Sequence, residues 1–219
     1  SHIPQITQWT LRNNGRVQAL LFMALRCCRV VENDRKPIMF GTDSEKNVTS
    51  DDIYYIIKKN HPHYNVAGYL GGTVNPDSFK WLLSVSLCRS NALLGSIGPI
   101  SIELYQMLRH FFYGRYLMND NHAGRFASCL INCLCFLADK NIRRTLLHLI
   151  KQPKRLFKPL YFLRIIIVQG HDTLKGEMDM CDGCPDMTYY KGRLVNSCRL
   201  DEYRKYGKLI TDLKDEMQN

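Results

Sequence analysis

The chain has 219 residues, 45% hydrophobic and 23% charged, which suits a globular protein with a buried core and excludes an extensively disordered one. Thirty Lys and Arg against twenty Asp and Glu give a net charge of +10, and the excess is local. Residues 140–171 hold eight bases and no acid, whereas 172–219 hold eight bases and ten acids.

No apolar run reaches the roughly 18–20 residues that a membrane span needs. Ser1-His2-Ile3-Pro4 carries neither a Met nor a charged leader, so it reads as a fragment or an expression remnant without a secretory signal. In chain order, Val17, Leu20, Leu21, Ala24 and Leu25 recur at helical spacing and predict an amphipathic helix over 14–30. Thr49 and Asp52 resemble a capping box ahead of Ile53, Ile56 and Ile57, with Pro62 as the stop. Asn75-Pro76-Asp77 predicts the start of a helix carrying Phe79, Leu82, Leu83 and Leu87. Pro99 opens another, with Leu104, Met107, Leu108, Phe111 and Phe112 on one face. Residues 123–137, 140–151 and 200–216 add three more.

Strands are expected only at Leu163 to Val168, with its β-branched run, and in a hairpin over 189–195 turning at Lys191-Gly192. The fold class expected is therefore mainly α, within α+β: a helical domain over 1–170 and a cysteine-bearing tail over 171–219 with a small knuckle and hairpin metal site. A terminal helix closes it.

Nine cysteines, clustered at 27/28, 88, 129/133/135 and 181/184/198, suit a reducing cytoplasm better than a disulfide framework. Cys181-Asp182-Gly183-Cys184-Pro185 is a tight loop able to turn two thiolates inward, and the hairpin after it returns the chain toward Cys198. Three soft thiolates suit zinc or an iron–sulfur cluster and suit magnesium or calcium poorly. The fourth ligand stays open: His171, a helix cysteine or a carboxylate such as Asp179. Cys129, Cys133 and Cys135 lie in the apolar run Phe126 to Leu137, where reduced cysteines pack as small hydrophobes.

The stretch from Cys181 through Cys184 and Cys198 to Tyr203 resembles the C-terminal tail of certain radical S-adenosylmethionine proteins. That resemblance covers about forty residues and implies that Cys181, Cys184 and Cys198 bind an auxiliary iron–sulfur cluster of the four-iron, four-sulfur kind. It implies an accessory role: shielding an active site, relaying electrons or anchoring substrate. The superfamily's catalytic CxxxCxxC is not met, since Cys129, Cys133 and Cys135 are one residue short in the second gap. The barrel that uses S-adenosyl-L-methionine is then a missing domain or partner chain, and no catalytic residue is assigned.

Residues 140–164 interleave Arg143, Arg144, Lys151, Lys154, Arg155, Lys158 and Arg164 with Leu, Ile, Phe and Tyr. That pattern fits either a solvated basic face or a surface for anionic membranes or acidic partners. The alternative function is accordingly a zinc-stapled, non-catalytic binding module docking through 140–164. Nucleic acid is not an expected partner, since its motifs are absent. Gly68-Tyr69-Leu70-Gly71-Gly72-Thr73 ahead of Asn75 reads as a plain turn or an anion cradle. His61 and His63, flanking Pro62, read as a surface turn.

Overall fold

The computed structural model describes residues 2–24, 28–31, 37–40, 48–114, 130–151, 158–170, 172–174, 177–184, 186–200, 203–204 and 207. The chain divides into two compact units, one of 1–22, 51–69 and 82–167 and one of 23–50, 70–81 and 168–219. The helices are α1 (Ile3–Arg12), α2 (Ser50–Asn60), α3 (Pro99–Tyr113) and α4 (Lys140–Ile150). The first strands are β1 (Ala19–Ala24), β2 (Cys28–Val31), β3 (Pro37–Phe40) and β4 (Gly68–Leu70). Then come β5 (Trp81–Arg89), β6 (Ala92–Ser96) and β7 (Tyr161–Gln169). Short strands follow: β8 (Asp172–Leu174), β9 (Glu177–Asp179), β10 (Met187–Tyr190) and β11 (Arg193–Asn196).

This architecture corrects the expected one. The fold is α+β around a five-stranded sheet, not a mainly helical domain, and strands extend about as far as helices among the described residues. The sheet runs β1-β7-β5-β4, with β6 also paired to β5. Three two-stranded antiparallel pairs, β2–β3, β8–β9 and β10–β11, complete the strands.

Two expected helices are strands. Over 14–30, a turn leads into β1, whose burial alternates and whose Leu21 and Met23 are exposed. The helix expected from Asn75 is a turn followed by β5. Most of β5 is buried on both faces, so its run lacks the alternation that marks a half-buried strand. Ser84 and Ser86 stay inside because their hydroxyls meet Ser96 at 3.4 and 3.1 Å and Ser84 donates to the Asn65 carbonyl.

The other expected elements follow their signals, whereas α1, β3, β4, β6, β8 and β9 stand where no element was expected. Helices α2, α3 and α4, strand β7 and the β10–β11 hairpin fall where the sequence places them. Of 123–137, residues 130–134 are helical and those before lie outside the described residues, as does nearly all of 200–216.

In the first unit, Val85, Leu87, Ile97, Ile102 and Ile142 form the core, with Leu146, Leu160 and Phe162 packed on it. Helix α4 is fastened at both levels. The buried Asp139 carboxylate accepts from the Asn141 and Ile142 amides at its start and from both the amide and hydroxyl of Ser101 in α3. One side chain thus caps two helices. Against β6, a Cβ on Gly95 would stand 2.0 Å from the Thr145 hydroxyl, so only glycine lets α4 lie this close.

Candidate functional site

The second unit holds all three cysteines singled out by the sequence. Backbone hydrogen bonds pin the segment that carries Cys181: Thr73 N–H donates to Met180 O at 2.9 Å and Asp182 N–H to Gly71 O at 3.0 Å. An isolated antiparallel bridge joins Gly72 and Cys181 between them. Cys184 follows through Gly183. At the hairpin's base, Ser197 N–H donates to Asp186 O at 3.0 Å and its hydroxyl to the Asp186 carboxylate at 2.8 Å. Thr188 and Ser197 hydroxyls meet at 2.7 Å. These ties carry Cys198, in a single 3-10 turn over Ser197–Arg199, back to the CxxC loop.

The three sulfurs are free thiols within range of one another's charge. Burial pushes the Cys181 thiol up to about 11, and repulsion from Cys184 and Cys198 adds to it. The positive charge of Lys80 and a hydrogen bond from Trp81 act the other way. Desolvation and the charge of Cys184 also raise Cys198. The donor chemistry fits a soft metal centre, and a cation among the sulfurs turns their mutual repulsion into shared attraction. The expected preformed knuckle is nonetheless a correction: among the described residues no three Cys, His, Asp or Glu side chains are gathered closely enough to hold a metal ion. The hairpin brings the chain back, but the side chains stop short of a ligating arrangement.

Asp179, a candidate fourth ligand, is committed elsewhere. Its side chain and that of Lys80 are both 0% exposed, and Lys80 Nζ stands 2.9 Å from Asp179 Oδ2. Its Oδ1 accepts from the amides of Val74 and Asn75 at 2.9 and 3.3 Å. Desolvation pulls this carboxyl upward, but the hydrogen bonds from Lys80, Val74 and Asn75 and the charge of Lys80 outweigh it, so it stays below the ordinary range. The glycine-rich loop is therefore an anion cradle whose anion is the chain's own carboxylate. A Cβ on Gly72 would fall 2.3 Å from Asp179 Oδ1, which requires glycine there. His171, the other named candidate, lies outside the described residues.

Lys80 and Trp81 were not legible as site residues. Their signal is a lone lysine inside the apolar run Phe79-Lys80-Trp81-Leu82, where burial demands a carboxylate partner.

The first unit holds the other motifs. Cys135 is buried beside Tyr105 and Ile131, as expected of a packed cysteine, whereas Cys133 is exposed and Cys129 lies outside the described residues. In the basic block, α4 turns Ile142 and Thr145 inward and leaves Arg144, Leu147 and Ile150 exposed. Lys154 and Arg155 lie outside the described residues. His61 is half-buried, and burial lowers its pKa. His63 is exposed and stacks on His148 with ring centroids 4.0 Å apart. Among the described residues no helix is long and apolar enough to cross a membrane. No protein-family model, curated protein or solved structure matches the chain.

Proposed function

We propose that the chain is the accessory part of a radical S-adenosylmethionine-type enzyme and that Cys181, Cys184 and Cys198 bind an auxiliary iron–sulfur cluster in its second unit. The observation that supports this reading is the hairpin tied at its base, after which Cys181, Cys184 and Cys198, all free thiols, lie within range of one another's charge, though short of a ligating arrangement. When bound, such a cluster supplies one-electron transfer or an iron that anchors substrate. The chain's own groups do the rest. Lys80 and Trp81 favour the thiolate form of Cys181, and the Gly71–Thr73 segment fixes the backbone on either side of it. Catalysis then belongs to a barrel domain or partner chain, in the cytoplasm.

Anaerobic reconstitution with iron and sulfide, followed by iron, sulfide and zinc analysis, tests the reading. The expected product is brown, with iron and sulfide in equal amounts. Cys181→Ala, Cys184→Ala and Cys198→Ala should each lose most of the iron, and Cys133→Ala should keep it. A colourless protein holding zinc through the same three cysteines would establish the zinc-stapled module instead. Reductive formation of 5′-deoxyadenosine by the reconstituted chain alone would overturn the accessory role.

A further inference from the structure

The first unit contains a cleft of about 410 Å³ lined by Lys58, His63, Asn65, Arg144, His148 and Lys151. No Asp or Glu lines it among the described residues. Arg144 and His148 stand at i and i+4 on one face of α4, and Lys151, the residue that caps its C-terminal end, follows at i+7. Lys58 arrives from α2, and its ammonium donates to the Tyr64 carbonyl and to Asn65 Oδ1, at 2.5 and 2.7 Å. Those bonds use two of its three donors and fix its direction.

Three cations gathered without a carboxylate repel one another. Burial, and then the charge of Arg144, lower the pKa of Lys58, the response of an ammonium that lacks a counter-charge. Elsewhere in the chain, the buried ammonium of Lys80 has its own carboxylate.

We infer that this cleft binds a small soluble phosphate ester. A tetrahedral phosphate offers three terminal oxygens and up to two negative charges, enough to meet an Arg fork, two ammonium groups and the imidazoles together. A single carboxylate, with one charge and two oxygens, leaves cations unmatched. The cleft exceeds the size of a bare phosphate, and Pro62 and Leu147 give it an apolar wall for the organic part of the ligand. This site is independent of the cysteines and of any metal they hold.

Calorimetric titration of the full chain with inorganic phosphate, pyrophosphate and acetate tests the inference, alongside cosedimentation with acidic vesicles. Pyrophosphate should bind most tightly, phosphate less and acetate least, with affinity falling as salt rises. Arg144→Ala and Lys151→Ala should each weaken pyrophosphate at least about tenfold, and Arg144→Lys should restore part of the loss. Arg143→Ala is the control, because that guanidinium is held by the Leu137 carbonyl at 3.2 Å and does not line the cleft. Absence of phosphate binding, equal binding by Arg144→Ala, or binding to acidic vesicles without binding to soluble phosphates would each overturn the inference.

Discussion

Two lysines, one in each unit, answer burial in opposite ways. Lys80 is wholly enclosed and meets Asp179, whose other oxygen is held by two loop amides. Lys58 is half-enclosed, meets only neutral oxygens and faces Arg144. The first arrangement is closed: every charge has its partner inside the chain, so it stabilises and leaves no site for a ligand. The second is open, and its charge is left for something that is not part of the chain.

Breaking the closed pair should have the largest effect. Asp179→Asn removes the carboxylate that faces the buried Lys80 ammonium and should cost about 3–5 kcal/mol, measured by denaturant unfolding. The pH dependence follows from the lowered folded pKa. The Asp179 contribution is fully present above the unfolded value of 3.8 and is lost as pH falls below it, through the folded value. Asp179→Asn should therefore be closest to the parent protein in acid and furthest from it near neutrality. A variant that unfolds like the parent at pH 7 would show that the pair contributes nothing.

How much of this was legible follows from the same contrast between satisfied and unsatisfied polar groups. Helix α4 announced itself because its basic residues are spaced to stay off the buried line of Ile142 and Thr145, and Asp139 stands at its start as a cap. Strand β5 did not, because Ser84, Ser86 and Arg89 sit inside with the apolar residues, and a pattern reader takes buried hydroxyls for a solvent face. Strand β1 failed for the reverse reason: Leu21 and Met23 are exposed, so apolar residues occupy both faces. At the site, the cysteine spacing and the Lys191-Gly192 turn were readable because they are local. The Lys80–Asp179 pair spans about a hundred residues of sequence, and nothing local ties its ends together.

Supplying the open cluster with its anion should have the next largest effect. If pyrophosphate occupies the cleft, a concentration one hundred times its Kd stabilises the native protein by about 2.7 kcal/mol, read as a rise in Tm. Arg144→Ala, binding at least about tenfold more weakly, should cut that stabilisation to about 1.4 kcal/mol or less at the same ligand concentration while leaving the Tm without ligand nearly unchanged, since its side chain is exposed. Asp179→Asn, by contrast, should lower the Tm and keep the pyrophosphate-dependent rise. That pair of outcomes separates a charge that holds the fold from one that holds a ligand.

The smallest effect belongs to Lys58 itself. Lys58→Met removes two hydrogen bonds and also a poorly compensated cation, so the two changes oppose and the net loss should be about 1 kcal/mol. Its pH dependence has the same sign as that of Asp179, stability rising with pH, but it falls in the alkaline range and reports a cost relieved rather than an attraction gained. A lysine whose folded pKa lies below the unfolded 10.5 costs stability while it is charged, and the cost is relieved as pH rises through the folded value toward 10.5. The parent protein should therefore gain stability relative to Lys58→Met over that alkaline interval. Saturating pyrophosphate should flatten the gain, because a bound anion restores the charged form of Lys58. An alkaline profile that is the same with and without pyrophosphate would mean that Lys58 does not face the anion.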